Sequence, residues 1–137
     1  MILISACLAG YPCRWDGQAK ENARIVELVR QGRAIPVCPE QLGGLGTPRK
    51  PSEIREGRVF SSDGQDVTAQ FEGGARAVLA IARKYGCAEA ILKANSPSCG
   101  CGRVYDGSFS GALVDGDGIA ARLLKEAGIK VSTEDDI

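Results

Sequence analysis

The stretch 34-AIPVCPEQLGGLGTPRK-50 decides how the chain is read. Its first residues, Ala34 to Cys38, make a short apolar run of the kind that becomes a buried strand. The run ends in cysteine, proline and glutamate, and a glycine-rich turn carrying Arg49 and Lys50 follows. A strand that gives way to a loop at Cys38 and Glu40 brings a thiol and a carboxylate to the place where α/β proteins build their sites. Pro36 is a mild objection to a central strand, since proline suits sheet edges and strand ends.

The same grammar extends in both directions. Upstream, 2-ILISAC-7 is a second apolar, β-rich run, followed by the loop GYPCRWDG with its Pro and Asp-Gly punctuation. Residues 20–31 carry Ala23, Val26, Leu28 and Val29 among charges, which predicts an amphipathic helix stopped by Gly32. Downstream, residues 41–65 are rich in Gly, Pro and charge, and GRVFSSDG within them suits a short strand or hairpin. Asp66 or Thr68 is placed to cap a longer helix whose buried face is Phe71, Ala75, Val78, Leu79 and Ala82, ending at Gly86. A strand is expected at 88–93. The polar stretch 94-ANSPSCGCGRVYDGSFSG-111 reads as a loop, 118–127 as a helix stopped by Gly128, and IKVST as a last strand.

Strands and helices alternate, so the expected fold is α/β: a single domain over 1–137, with a mainly parallel sheet flanked by helices. Parallel connections bring the C-terminal ends of the strands to one edge, where open α/β sheets bind their ligands. Cys7 ends the first strand and Cys38 the second. Cys99 lies a few residues past the strand that ends near Lys93. These three thiols, far apart in sequence, are aimed at one mouth.

Composition narrows the chemistry. The chain has 137 residues, 44% hydrophobic and 25% charged, which is enough to build a core without disulfide staples. Lys plus Arg equals Asp plus Glu at 17 each. A neutral chain without a dense basic run is poorly suited to sequence-independent binding of a nucleic acid and better suited to a small substrate. There is no histidine, which removes His-based acid–base chemistry, Cys-His nucleophiles and mixed Cys/His zinc sites. The start, MILISACLAG, lacks a basic n-region, and no run is long enough to cross a bilayer, so a cytoplasmic protein is expected. In that compartment clustered cysteines are more often metal-binding or catalytic than disulfide-paired. The sequence leaves the oligomeric state open.

Six cysteines are many for such a chain. Cysteine often only fills core, and that is the expected role of Cys87 at a helix–strand junction. Cys13 suits core, loop or a resting disulfide partner, with no essential role expected. Cys99-Gly-Cys101 is too tight for a C-x-x-C zinc knuckle; a thiol redox pair is the better bland reading. The sharper reading is an iron–sulfur cluster, which accepts thiolates from separate loops. Its warrant is topology rather than spacing, because the ferredoxin spacings are absent. Three thiolates on four irons leave one iron open, the mark of a catalytic site.

The motifs 5-SACLAGYPCRWDG-17, 37-VCPEQLGGLGTPR-49 and 93-KANSPSCG-100 resemble the thiouracil desulfidases (TudS-like proteins), a family once filed as a domain of unknown function. The resemblance covers nearly the whole chain. It implies a [4Fe-4S] cluster held by Cys7, Cys38 and Cys99, with Glu40 and Ser96 as catalytic side chains. It further implies removal of sulfur from thiolated pyrimidines, of the 2-thiouracil or 4-thiouracil/4-thiouridine type, without net redox change. The partner is then a small thiolated nucleobase or nucleoside. On this resemblance Glu40 would be the general base on water, the obvious base left in a chain without histidine, and Ser96 would donate a hydrogen bond or a proton. Arg14, Arg49 and Lys93 lie in the same loops and suit substrate carbonyls, the cluster's charge or plain surface. Asp16-Gly17 reads most simply as a turn. Without the resemblance, Glu40 reads as a cap near Leu42 and Ser96 as a Ser-Pro turn. The rival class is a cysteine-based redox sensor or an iron–sulfur carrier without catalysis.

Overall fold

Leu3 and Ile4 are neighbours in sequence and both are fully buried. Successive strand residues point to opposite faces, so a strand buried at both must be covered on both sides. The computed structural model, which describes residues 1–137, shows how. In chain order the elements are β1 (Ile2–Ser5), α1 (Ala23–Arg30), β2 (Ala34–Val37), α2 (Pro39–Leu42), β3 (Ser52–Arg55), β4 (Arg58–Ser61) and α3 (Thr68–Lys84). There follow β5 (Glu89–Leu92), β6 (Arg103–Tyr105), β7 (Leu113–Asp115), α4 (Ile119–Glu126) and β8 (Lys130–Thr133). A single 3₁₀ turn follows β1 at Ala6–Ala9 and another follows β8 at Glu134–Asp136.

The main sheet is parallel throughout, in the order β2-β1-β5-β8. Ser5 stands opposite Val37, and Leu92 opposite Thr133, so all four strands end along one edge. Leu3 and Leu92 pack with Val78, Leu79 and Leu124 on the face covered by α3 and α4. Ile4 and Ile91 pack with Ile25 of α1 on the other. Pro36 lies in β2, an outer strand of the sheet, where a missing N–H costs no ladder bond on the open side. The chain leaves β1 for β2 on one side and later arrives at β5 on the other. The reversal opens a crevice between the loops that follow β1 and β5.

The helix stops expected at Gly32, Gly86 and Gly128 are all present with positive φ, of 70°, 65° and 84°. Asn22 caps α1 by accepting from the Arg24 and Ile25 amides, at 3.0 and 3.4 Å. Asp66 accepts from the Thr68 amide at the start of α3, while the Thr68 hydroxyl is turned to the Val59 amide of β4 instead. Two antiparallel hairpins stand apart from the sheet. One is β3–β4, whose Val59 packs with Phe71 and Ile119; the other is β6–β7, inside the stretch that the sequence presents as loop. Strand β6 has only three residues, Arg103–Tyr105, too short for a periodic signal.

Candidate active site

A cavity of about 360 Å³ opens at the C-terminal edge of the sheet. It is lined by Cys7, Cys38, Cys99, Glu40 and Ser96, so the five residues expected to form the site meet in one place. Arg14, Arg49 and Lys93 line it too.

Each arrives by a distinct local device. After Ser5 the chain tightens into the 3₁₀ turn, closed by Gly10 at φ 99°, and this sets Cys7 within that turn, just beyond the end of β1. Cys38 is the last extended residue before α2, where Pro39 occupies a first-turn position that needs no N–H. Glu40 is in the first turn of α2. This short helix is held by a crossing of bare backbone: a Cβ on Gly74 of α3 would collide with the Pro39 carbonyl, and one on Gly43 with the Gln70 carbonyl. Asn95 sits in the left-handed region at φ 70°, a conformation that asparagine tolerates better than most residues. The chain then folds back so that the Ser96 hydroxyl accepts from the Ser98 and Cys99 amides, both at 3.1 Å. Gly118, ahead of α4, crosses directly against the Ser98 carbonyl and fixes this turn from behind.

Glu40 is held at both oxygens. Oε1 accepts from Arg49 Nε at 3.0 Å and Oε2 from the Ser98 hydroxyl at 3.0 Å. The two side chains of the ion pair are only 15% and 9% exposed, and a pair so far from water needs its remaining donors satisfied. Arg49 meets that condition by donating to the Gly46 carbonyl, the Thr47 hydroxyl and the Cys13 carbonyl. Lys93 is paired with Glu134 at 2.9 Å, and Glu134 also accepts from the Ala94 amide. Arg14 lies 3.6 Å from Asp16, whose other oxygen accepts from the Gln18 amide in the expected turn.

Burial pushes the Cys99 thiol up to about 11, against hydrogen bonds from Ser5 and Ser98 that favour the thiolate. The Cys38 thiol is raised as well, first by its hydrogen bond with Cys13 and then by burial. Cys13 is drawn down by Cys38 but pushed up more by Cys7 and by burial, to about 11. These thiols keep their protons at neutral pH, so a metal that binds them must displace those protons.

Cys13 is the main surprise. It is buried, lines the same cavity, and has Cys7 and Cys38 for neighbours. Its place in a loop between Pro12 and Arg14 gave no periodic signal. Ser5 was also missed: its hydroxyl donates to the Cys99 sulfur at 3.2 Å and accepts from the Lys93 amide at 2.8 Å, tying the end of β1 to the loop after β5. Ser98, next to Cys99, and Glu134, beyond the last strand, carry no sequence mark of their own. Cys87 lies in the core as expected. Cys101 is half-buried with its sulfur toward the Val131 carbonyl, whereas Cys99 faces Ser5.

The donor set has a definite character. Nowhere do three Cys, Asp or Glu side chains close on one point as the ligands of a single ion do. Cys7, Cys13, Cys38 and Cys99 instead share the lining of the cavity of about 360 Å³. Cysteine sulfur from separate loops, without histidine, is the donor set of an iron–sulfur cluster. Trp15 and Tyr105 line the same cavity.

Comparison with known proteins agrees with this reading of the fold. The chain is 42% identical to the uncharacterized protein YbbK of Bacillus subtilis (strain 168), over all of this chain and 97% of that one. Among solved structures it superposes on the [4Fe-4S]-dependent thiouracil desulfidase TudS with a TM-score of 0.95 at 44% identity, covering 99% of this chain and 91% of the other. A model of the 2-thiouracil desulfurase family matches residues 2–136. The chain therefore belongs to the 2-thiouracil desulfurase family.

Proposed function

We propose that the protein is a [4Fe-4S]-dependent desulfidase that hydrolyses the C–S bond of a small thiolated pyrimidine and releases hydrosulfide. The observation that carries this reading is the meeting of three strand-end thiols, a buried carboxylate and a serine hydroxyl in one cavity. Its relatives in the family and the likeness to the TudS structure support it. Cys7, Cys38 and Cys99 would hold the cluster. Bound through three thiolates, such a cluster supplies an iron with an open position, a soft Lewis acid suited to thiocarbonyl sulfur.

The chain's own residues supply the rest. Glu40, oriented by Arg49 and Ser98, takes a proton from the water that attacks the thiocarbonyl carbon. General-base work of this kind is worth about 10²–10⁴-fold. Ser96, whose oxygen already accepts from the Ser98 and Cys99 amides, is a strengthened proton donor and serves the substrate. Trp15 and Tyr105 are available to stack on the ring, and Lys93 or Arg14 to meet its one exocyclic oxygen. The carbon gains oxygen and loses sulfur with no change in redox state. The cavity of about 360 Å³ is at the small end for ligand pockets and favours a free base or nucleoside over a nucleic acid. We take residues 1–137 as one domain working in the cytoplasm; no helix is long and apolar enough to cross a membrane.

Cys13 is left as a fourth thiol against the site. Under this reading Cys13→Ser keeps its iron, whereas Cys7→Ser does not. The function itself is tested by incubating the iron-loaded protein with 2-thiouracil, 4-thiouracil and 4-thiouridine. Sulfide and the oxygenated base should appear together in equal amounts. Iron-loaded protein that leaves all of them intact would refute the reading.

A further inference from the structure

Three carboxylates stand at or beside the cavity, and two of them are engaged at both oxygens. Glu40 has Arg49 at one and the Ser98 hydroxyl at the other. Glu134 has the Ala94 amide at one and Lys93 at the other. Glu53 differs. It is only 8% exposed and lines the cavity. Its Oε1 accepts from the Gly107 and Phe109 amides, at 3.0 and 3.1 Å, and no donor of the chain reaches its Oε2. No lysine or arginine pairs with it. Oε2 is not sealed in the core either, because every fully enclosed side-chain oxygen has a partner. For a side chain this buried that lines the cavity, the opening left to it is the cavity.

Strand geometry puts Glu53 there. Glu53 and Ile54 are successive residues of β3 and face opposite ways. Ile54 packs with Val59 and Phe71, so Glu53 points away from that core, toward the turn between β6 and β7. This turn lies so close to β3 that a Cβ on Gly107 would meet the Ile54 carbonyl at 2.8 Å, and the closeness delivers the Gly107 amide to Oε1. Tyr105 and Gly111, on either side of the turn, line the cavity too. Holding two amides needs only one neutral oxygen, which glutamine has as well. A carboxylate this far from water carries a desolvation cost that a partner must offset. Half of that partnership is supplied by the turn, and the other half is left to whatever enters the cavity.

From this we propose that Glu53 is a substrate-binding residue whose Oε2 accepts a ring N–H of the thiolated base. The inference rests on the desulfidase reading, which makes the ligand a thiolated pyrimidine. Such a ring carries N–H donors, and a carboxylate oxygen takes a donor and nothing else. The bond is charge-assisted, the strong kind. Glu53 takes no part in the chemistry and moves no proton. The thiols and Glu40 come from the loops at the sheet edge, Glu53 from a hairpin outside the sheet. The reacting carbon and the recognised N–H are therefore met by different parts of the fold. The competing role for Glu53 is that of a latch, holding the β6–β7 turn through Oε1 and nothing more.

Glu53→Gln separates the two roles. Its amide oxygen still accepts from the Gly107 and Phe109 amides, while its NH₂ puts donors where the substrate finds an acceptor. Iron-loaded wild type and Glu53→Gln are compared by Tm, by iron content, by KM and kcat for sulfide release from 2-thiouracil and 4-thiouracil, and by calorimetric titration with uracil, which keeps the N–H groups without the sulfur. The proposal predicts unchanged Tm and iron, weaker uracil binding, and a loss of about 10–10²-fold in kcat/KM, carried by KM, the range for a hydrogen bond to a charged group. Of the N1- and N3-methylated forms of a base that the wild type accepts, one should be handled equally by wild type and Glu53→Gln, because the recognised N–H is gone. Wild-type KM and uracil binding in Glu53→Gln overturn the proposal and leave Glu53 a latch. So does a fall in Tm or iron that accompanies the defect, or a full Glu53→Gln penalty on both methylated bases. Wild-type protein that releases no sulfide overturns the desulfidase reading, and the uracil titration still decides the role of Glu53.

Discussion

At the N-terminal edge of the parallel sheet, three helices return to three strands by one device used three times. Gly32, Gly86 and Gly128 each take positive φ, and a Cβ on any of them would meet nothing within 4 Å. The residue after each glycine bonds back five positions, Arg33 to Leu28, Cys87 to Ala82 and Ile129 to Leu124, the Schellman pattern. At the opposite edge no two connections are alike. One is a 3₁₀ turn ending on Gly10, one a four-residue helix wedged against α3, one a Ser-Pro-Ser turn crossed by Gly118. The first edge only reverses the chain. The second carries Cys7, Cys38, Cys99, Glu40 and Ser96, and each irregularity there aims one of those side chains at a shared cavity.

The strongest break of that contrast is at a thiol. Cys38→Ser should abolish cluster retention, read as loss of iron and of the cluster's visible absorbance. A variant with full absorbance would remove Cys38 from the ligand set. Next is the carboxylate. Glu40→Ala should keep its iron and lose sulfide release by about 10²–10⁴-fold, and normal turnover would remove Glu40 from the base role.

A third change acts on the support beneath these side chains. Gly74→Ala drives a methyl into the Pro39 carbonyl, an overpacking that costs about 1–3 kcal/mol. Because α2 must shift, this variant should lose activity out of proportion to its fall in Tm; parallel modest losses would mean that the helix relaxes without moving Glu40. The smallest effect is expected at the plain edge. Gly86→Ala has open space but the wrong sign of φ, a penalty of about 1–2 kcal/mol. Tm should fall by a few degrees with iron content and turnover intact. An active-site defect in Gly86→Ala would dissolve the distinction between the two edges.

The two edges also differ in how much of them could be read from sequence. The glycine stops were visible because a local rule produces them, and the buried strands because apolar runs such as Ile2–Ile4 are local too. Cys7, Cys38 and Cys99 could be assigned to one edge from alternation alone, since a parallel sheet puts all such residues on the same side. What joins them could not. Ser5 reaches Cys99 across 94 positions and Ser98 reaches Glu40 across 58, and neither serine differs in type or spacing from an ordinary turn or strand residue. Glu134 pairs with Lys93 only because β8 lies beside β5, an order that the pattern of strands does not disclose. That Cys13 lines the cavity could not be read for a related reason: a loop residue has no periodicity to say which way it faces. The short strands β6 and β7 escaped because each has three residues amid glycine and serine.

The most direct measurement is the iron, zinc and acid-labile sulfide content of the wild-type protein purified and reconstituted without oxygen. The account predicts about four irons and four sulfides per chain, as in a cubane cluster, with no zinc. Stoichiometric zinc, or no metal after reconstitution, would contradict it and leave Glu40 and Ser96 facing a cavity of unassigned use.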